Sequence, residues 1–293
     1  MSESPLHVVD GSVYFFRGLF GVPDVFFDHR QRSVNGVKGY LHFLFDLIAQ
    51  DQVRFVVVAF DESLNTCFRN VLYQGYKADR PLPDENVLYQ LQVCRRMTAA
   101  LGILTLAHAR YEADDIIATL VARARRPVAI HSCDKDLLQL LRGGVTLATP
   151  VAGVRSEPEF VRDYGFSPAL FPDYQALQGD SVDNIPGVPG VGAKTARRLV
   201  ARFGSLEAIY ASAPDWPAVG VRADGRQSRS LLAHRSEALL FRELTRLRRR
   251  MPLDYATEQL QHAPPCSKAL RSQLQLAGLW HHFAPAVQRL ERA

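Results

Sequence analysis

The 293-residue sequence predicts an α/β protein with a mostly parallel sheet flanked by helices, followed by a helical C-terminal region. In the first half, short apolar runs alternate with segments whose apolar residues recur at helical spacing, a pattern typical of parallel strands joined by helices. After about residue 150 the strand pattern fades and the helical spacing continues. The hydrophobic fraction of 47% is ordinary for a protein with a packed core.

The spacing of apolar residues places each element. The runs predicted as buried strands are residues 6–9, 55–60, 103–106 and 127–131. The predicted helices are 37–48, 85–101 and 114–124 in the first half, and 161–177, 194–203, 206–211, 230–247 and 268–279 in the second. The stretches 63–83 and 213–227 lack a clear period and are predicted as loops.

The composition excludes several classes of protein. No stretch approaches the roughly 18 apolar residues that a membrane span requires, and the first apolar run is too short for a signal peptide. We therefore expect a cytoplasmic protein that does not bind a membrane. The four cysteines, Cys67, Cys94, Cys133 and Cys266, are scattered without a metal-binding spacing and are interpreted as reduced thiols.

Charge is distributed unevenly along the chain. The net charge is +5, and residues 184–251 contain 13 Lys and Arg against 5 Asp and Glu. Residues 106–183 contain 8 basic against 11 acidic residues. An acidic segment followed by a basic one suits a metal site beside a phosphate-binding surface. Charge alone is equally compatible with two solvated faces.

Acidic residues follow three of the predicted strands. Asp10 and Asp61 come directly after two of them, and Asp134 and Asp136 come soon after a third. Ligands bind at the carboxyl ends of parallel strands, so these side chains should converge at one sheet edge. Each could instead cap or open a helix, or lie exposed in a loop. The same alternatives apply to the remaining acidic candidates, which are Glu112, Asp114, Asp115, Asp180 and Asp183.

The acidic residues considered as a group favour a metal site. Carboxylates held close together raise one another's pKa and oppose ionisation. Divalent cations relieve that repulsion, and an all-oxygen ligand set without His or Cys suits Mg²⁺ or Mn²⁺. Nine carboxylates exceed the needs of one ion, so we expect two or more. Two neighbouring ions can stabilise both the attacking and the leaving oxygen in phosphodiester hydrolysis.

A glycine-rich segment precedes a basic helix. Gly187, Gly190 and Gly192 permit close backbone approach, and amides at a helix start can bind phosphate without reading bases. Lys194 and the residues after it add positive charge. A plain turn is the alternative. A nucleotide-binding P-loop is a rival, but Lys194-Thr195 follows Ala193 rather than glycine.

Seven short motifs, in order, resemble the bacterial 5′-nuclease family, which includes the nuclease region attached to DNA polymerase I and its stand-alone relatives. The resemblance extends from about Leu6 to Phe283. The motifs are VVDG at 8–11, VAFD at 58–61, FR at 68–69, GYKADR at 75–80, YEADD at 111–115, DKDL at 134–137 and GDSVDNIPG at 179–187. Residues 21–35 and 213–228 do not match the family pattern clearly, which leaves substrate preference open.

The resemblance implies a PIN-like nuclease domain over residues 1–178, with a helical arch at 63–101, and a helix-three-turn-helix DNA-binding region over 179–293. It implies one metal cluster formed by Asp10, Asp61, Glu112, Asp114 and Asp115, and a second formed by Asp134, Asp136, Asp180 and Asp183. It implies catalytic roles for Lys77 and Arg80. The DNA contacts that it implies are Arg69, Tyr76, Gly187, Gly190, Gly192, Lys194, Thr195, Arg197 and Arg198. A K⁺ ion on the hairpin carbonyls is also implied.

The function that the resemblance implies is a 5′ flap endonuclease and 5′→3′ exonuclease. It would cut branched or 5′-ended DNA in replication or repair, leaving a 5′-phosphate and a 3′-hydroxyl. We expect a monomer of the stand-alone form, since no polymerase domain follows. A non-catalytic branched-DNA-binding protein is the alternative, and the retained carboxylates argue against it. An RNA-directed PIN-type ribonuclease is a third hypothesis, which the hairpin disfavours because it suits duplex DNA. His131 is interpreted as a strand residue rather than a general base.

Overall fold

The structure is a computed structural model that describes residues 3–50, 53–63, 66–151 and 153–291. It divides into two compact units. The first contains the described residues of Met1–Leu64, Pro81–Cys133 and Arg249–Ala293, and the second those of Asn65–Arg80 and Asp134–Arg248. Each unit is therefore assembled from stretches that are distant in sequence. The predicted division into 1–178 and 179–293 stays a prediction.

Helices provide most of the secondary structure. In chain order they are α1 (Gly11–Gly21), α2 (Asn35–Ile48), α3 (Phe68–Leu72), α4 (Glu85–Ala100), α5 (Ala113–Arg123), α6 (Glu157–Tyr164), α7 (Phe171–Gln178), α8 (Ala193–Phe203), α9 (Leu206–Ala211), α10 (Arg226–Ala233), α11 (Arg235–Thr245), α12 (Ser267–Leu276) and α13 (Trp280–Leu290). Among the described residues, no helix is both long and apolar enough to cross a membrane.

The first unit is built on a parallel sheet. Its strands are β1 (Leu6–Asp10), β2 (Phe55–Asp61), β3 (Leu104–His108) and β4 (Val128–His131). They lie in the order β3-β2-β1-β4, and each neighbouring pair runs parallel. Asp10 is paired with Ala59, two residues before Asp61, so both aspartates lie at the same edge. The predicted α/β class with a mostly parallel sheet is confirmed.

Helix α1 was not predicted, and glycines are the reason. Its sequence contains Gly11, Gly18 and Gly21, which lower intrinsic helix propensity. The structure shows why a side chain is excluded at one of them. A Cβ atom on Gly18 would lie 2.7 Å from the carbonyl oxygen of Gly36 in α2. The two helices therefore cross closely, and this tertiary contact outweighs the weak local preference for helix.

The second unit contains a short antiparallel pair and most of the later helices. Its strands, β5 (Val145–Thr149) and β6 (Gly153–Arg155), were not predicted because they are short and largely half-exposed. A 3-10 helix, Lys135–Leu140, precedes them. Residues 64 and 65 of the predicted 63–83 loop and 63–101 arch lie outside the described residues. The rest of that loop contains α3 followed by turns.

Three predictions for the helical half were wrong in detail. The helix predicted at 161–177 is interrupted, because Gly165 ends α6 in a left-handed conformation with φ 80°. The helix predicted at 230–247 divides into α10 and α11 around His234. The loop predicted at 213–227 contains a 3-10 helix, Ala213–Val219, in which buried Trp216 donates a hydrogen bond to the Ile209 carbonyl.

Candidate functional site: two carboxylate clusters and a glycine hairpin

The carboxylates of the first cluster lie where strands β1 and β2 end. Asp10 caps α1, since its Oδ1 accepts a hydrogen bond from the Val13 amide at 3.0 Å. Its Oδ2 accepts from the Ser132 hydroxyl at 2.9 Å. Asp61 Oδ1 accepts from the Ala113 amide, the first residue of α5, at 2.7 Å. Backbone donors and a serine therefore hold both carboxylates at one edge of the sheet.

The remaining members of the first cluster open helix α5. Glu112 is its N-cap residue, and Asp114 and Asp115 lie in its first turn. The Glu112 amide donates to Asp115 Oδ2 at 3.4 Å. The helix dipole favours negative charge at this end, so capping explains part of the acidic pattern. It does not explain why Asp61, from a different element, bonds to the same helix start.

The second cluster is organised around Asp136, which is 9% exposed. Asp134 begins the 3-10 helix and accepts a hydrogen bond from the Asp136 amide at 2.8 Å. Burial and the neighbouring charges of Asp134, Asp183 and Asp180 raise the pKa of Asp136 well above its ordinary value. Asp134, Asp180 and Asp183 thus lie close enough to Asp136 to oppose its ionisation.

Two predicted catalytic cations face the second cluster. Arg80 lies 3.0 Å from Asp183 Oδ1, and Lys77 Nζ lies 3.7 Å from Asp183 Oδ2. The Lys77 amide also donates to the Asp183 carbonyl at 3.1 Å. The Asn184 side chain donates to the Gly75 carbonyl at 2.8 Å. The basic segment and the Asp180–Asp183 loop are therefore held together by side-chain and backbone bonds.

Arg69 and Tyr76 occupy positions different from those expected of DNA contacts. Arg69 is 1% exposed, and its guanidinium donates to the Leu244 carbonyl at 2.7 Å. Tyr76 is 3% exposed, and its hydroxyl donates to Asp183 at 3.1 Å. Both side chains are engaged within the second unit. Arg69 thus ties α3 to the Leu244 carbonyl and Tyr76 contacts Asp183, and a direct contact of either side chain with DNA stays a prediction.

The three hairpin glycines differ in what they do. A Cβ atom on Gly187, which has φ 70°, would lie 2.4 Å from the Gly179 nitrogen, so that glycine is needed for the chain to fold back on itself. Gly190 has φ 80° and faces open space, as does Gly192, the N-cap of α8. These two leave backbone accessible beside the exposed side chains of Lys194, Arg197 and Arg198, whereas Thr195 is buried.

Several residues near these sites were missed by the sequence analysis. Lys135 forms an ion pair with Asp180 at 2.8 Å. In the sequence it lies between the candidate ligands Asp134 and Asp136, and this position could have identified it as part of the site. Burial lowers the pKa of Lys135, but the ion pair with Asp180 outweighs it, and the net shift is upward. Gln227 donates to the Gly190 carbonyl at 2.9 Å, and Ser230 to the Pro189 carbonyl at 2.7 Å. Such contacts across many residues leave no periodic signal.

Carboxylate oxygens give both clusters the ligand chemistry of a hard divalent cation. As the side chains stand, no group of three or more His, Cys, Asp or Glu side chains in the described ranges is arranged to hold a metal ion. Lys77, Arg80 and Lys135 occupy carboxylate oxygens in the second cluster. Binding would therefore require these cations to move aside or water to bridge to the ion. The mutual repulsion around Asp136 fits such an exchange.

Comparison with known proteins adds evidence independent of this geometry. Residues 5–165 match the N-terminal resolvase-like domain of 5′-3′ exonucleases, and residues 166–268 match the C-terminal SAM fold of 5′-3′ exonucleases. The chain is 37% identical over 275 residues to DNA polymerase I of Pseudomonas aeruginosa, which covers 92% of this chain but 30% of that protein. It is 36% identical over 208 residues to the 5′-3′ exonuclease of Aquifex aeolicus, covering 70% of this chain and 71% of that protein.

Solved structures agree on the fold. The chain matches bacteriophage T5 5′-exonuclease with bound zinc at a TM-score of 0.67 and 19% identity, covering 98% of both chains. It matches the T5 flap endonuclease in a complex with DNA and metal ions at a TM-score of 0.65 and 20% identity, covering 99% of this chain and 100% of that one. At such identities the likeness establishes architecture alone. The two domain matches, together with the Aquifex relative, place this chain in the 5′-3′ exonuclease family.

Proposed function

We propose that the protein is a metal-dependent, structure-selective DNA nuclease. It would act as a 5′ flap endonuclease and 5′→3′ exonuclease, leaving a 5′-phosphate and a 3′-hydroxyl, in DNA replication or repair. The observation that carries the proposal is the crowding of Asp134, Asp180 and Asp183 around buried Asp136, with Lys77 and Arg80 against Asp183. Anionic ligands beside partly exposed cations suit both a metal and a phosphate.

The residues that would hold metal divide between the clusters. Asp10, Asp61, Glu112, Asp114 and Asp115 would serve the first, and Asp134, Asp136, Asp180 and Asp183 the second. When bound, Mg²⁺ or Mn²⁺ supplies Lewis acidity that activates water and neutralises charge in the transition state. T5 exonuclease, which has the same fold, was solved with bound divalent ions, in that case zinc. Two or more ions at this chain's clusters, and their identity, are part of the proposal.

Lys77 and Arg80 would stabilise charge on the phosphate being cut. Both contacts with Asp183 are ion pairs in which part of the cation reaches solvent, 50% of the Arg80 side chain and 20% of the Lys77 side chain, so Asp183 can be exchanged for a phosphate oxygen. A positive charge aimed at developing negative charge lowers the barrier more than it strengthens substrate binding. The same two cations would then be released from Asp183 when its carboxylate becomes a ligand.

The hairpin would hold the duplex. Accessible backbone at Gly190 and Gly192, followed by Lys194, Arg197 and Arg198, suits phosphate oxygens and carries no base readout. Backbone carbonyls of the same hairpin would hold K⁺. The T5 flap endonuclease was solved with DNA, which supports branched or 5′-ended DNA as the substrate class here. The helical arch at 63–101, a monomeric state and a cytoplasmic location stay predictions.

One assay tests the proposal. Labelled 5′-flap, nicked and single-stranded DNA are incubated with the protein in Mg²⁺ or in EDTA. We expect cleavage of the flap in Mg²⁺, none in EDTA, and binding of the flap in both. Because nuclease contamination is common, an Asp10→Asn, Asp180→Asn variant purified in parallel serves as the control and should not cut. Cleavage that persists in EDTA, or in that variant, would refute the proposal.

A further inference from the structure

A glutamine lies among the carboxylates of the second cluster. Gln175, in helix α7, is 2% exposed. Its Nε2 donates to Asp136 Oδ1 at 2.6 Å and lies 3.5 Å from Asp180 Oδ2. One side chain thus connects a carboxylate in the 3-10 helix to one in the loop after α7. No sequence motif pointed to it.

A glutamine amide differs from the cations that also contact this cluster. Lys135, Lys77 and Arg80 can be displaced because part of each side chain reaches solvent. The Gln175 side chain is enclosed, and its neutral amide orients a carboxylate without cancelling the charge that attracts a cation. Outer partners of this kind set the orientation of metal ligands and tune their affinity.

The amide oxygen of Gln175 differs from the amide nitrogen in its hydrogen bonding. Gln175 Oε1 is buried and accepts no hydrogen bond from any residue that the structure describes. Exchanging the amide nitrogen and oxygen of Gln175 would set Oε1 against an oxygen of Asp136. The contact with Asp136 therefore supports the present orientation of the amide. Buried polar atoms are nearly always hydrogen-bonded, and the neighbouring carboxylates offer no proton when ionised. When a bound cation keeps these carboxylates ionised, the donor to Oε1 is a molecule that enters the cluster.

We propose that Gln175 is a positioning residue of the second cluster. Its Nε2 holds Asp136 and Asp180, and its Oε1 accepts a hydrogen bond from the hydration shell of a divalent cation. Mg²⁺ retains several waters when bound to protein, and such waters are donors. This inference rests on the proposed function, since it requires the second cluster to bind metal. It predicts that Gln175 favours a hydrated cation over a dehydrated one.

The test measures Mn²⁺ binding to the full chain without DNA by electron paramagnetic resonance. All variants also contain Asp10→Asn and Asp61→Asn, which weaken the first cluster and leave the second cluster unchanged. Gln175→Met keeps the length of the side chain but removes both polar heads. It should weaken Mn²⁺ binding about 10–100-fold. Gln178→Met is the matched control, because Gln178 lies in the same helix and is exposed, and it should change binding less than twofold.

A second ligand tests the Oε1 contact. Hexaamminecobalt(III) imitates a hydrated Mg²⁺ ion but cannot exchange its ammines for carboxylates. It should bind the same background protein and bind more weakly to Gln175→Met. Equal binding to both would overturn the role of Oε1, and unchanged Mn²⁺ affinity would overturn the whole inference.

Asp180→Asn in the same background separates the two proposals. If it leaves Mn²⁺ binding intact, the second cluster does not bind metal and the proposed function loses its support. If it abolishes binding while Gln175→Met does not, the inference about Gln175 alone is wrong. Melting in EDTA checks that each variant folds. Should Gln175→Met unfold, the Gln175 side-chain amide signal of the unmodified chain is followed by NMR, and no shift on Mg²⁺ addition contradicts the inference.

Discussion

Asp10 and Asp61 of the first cluster accept hydrogen bonds from backbone amides and a serine, whereas lysine, arginine and glutamine side chains also contact carboxylates of the second cluster. Asp10 and Asp61 accept from Val13, Ser132 and Ala113, donors that belong to the folded sheet and its helices. Asp180 and Asp183 accept from lysine and arginine side chains. Neutral backbone donors hold a carboxylate in place, while charged side chains can leave it.

This difference suggests a division of labour. Asp10 and Asp61 of the first cluster are held in place by the fold itself, because each accepts a hydrogen bond from an amide at the start of a helix. The second cluster is only partly neutralised by Lys77, Arg80 and Lys135, and it would exchange these cations for metal and phosphate. Substitutions that alter one arrangement and leave the other intact test the comparison.

The largest effect is expected when the second cluster loses two of its proposed metal ligands. Asp180→Asn with Asp183→Asn should reduce single-turnover cleavage of a 5′-flap by at least about 10³-fold, on the scale of lost transition-state electrostatics. Binding should stay equal or become tighter, because two negative charges facing DNA are removed. Cleavage rates and filter-binding affinities are measured in parallel. Normal cleavage would mean that the first cluster is sufficient and that the comparison has no catalytic meaning.

Lys77→Ala should have the next largest effect. Removing one positive charge near the phosphate should slow cleavage about 10²–10³-fold, with at most a modest loss of flap binding. Lys268→Ala is the matched control, because Lys268 is an exposed lysine at the start of α12. Single-turnover kinetics in Mg²⁺ separate the two variants. If Lys77→Ala cleaves as fast as the control, the role of Lys77 is limited to its ion pair with Asp183.

A smaller effect is expected at the hairpin. Gly190→Asp would add negative charge where backbone meets phosphate, and duplex binding should weaken about tenfold, or about 1.4 kcal/mol. The loss should be similar across DNA sequences. Gly153→Asp is the control, since Gly153 has a similar φ of 72° and open space. If both variants bind equally well at one salt concentration, the hairpin is only a turn.

Two buried histidines should affect the stability of the first unit rather than DNA cleavage or binding. His7 on β1 and His131 on β4 share a hydrogen bond of 2.9 Å. Burial and the neighbouring His7 lower the pKa of His131 to about 4, and burial lowers that of His7. Below about pH 6.5 the unfolded chain gains protons that the folded chain excludes, so stability falls as pH drops toward 4. The loss attributable to His131 is up to about 3 kcal/mol.

Urea unfolding between pH 7 and pH 4 measures that loss. His131→Phe removes the titrating group and should flatten the decline, whereas His281→Phe, on an exposed histidine, should leave it unchanged. Equal slopes for both variants would show that the buried pair does not govern acid sensitivity. Carboxylate titration is common to both variants, so the difference between them isolates the histidine pair in the sheet beneath the first cluster.

Prediction from sequence succeeded where a feature depends on local spacing. The parallel strands were found because buried strands are short continuous apolar runs, and the position of Asp10 and Asp61 at one edge followed from strand direction. Prediction failed for α1, whose glycines mask a helix that tertiary contact with α2 stabilises. It also failed where one residue ends a helix, as at Gly165.

By itself the sequence determined the fold class, the family motifs and which carboxylates stand at strand ends and helix starts, because these depend on residue type and period. Only the tertiary structure decided what each side chain contacts. Arg69 is buried against the Leu244 carbonyl, 175 residues away, and Gln175 reaches Asp136 across 39 residues. Such contacts form because the folded chain brings distant residues together and buries their polar groups away from water. The spacing of residues along the sequence therefore does not predict these contacts.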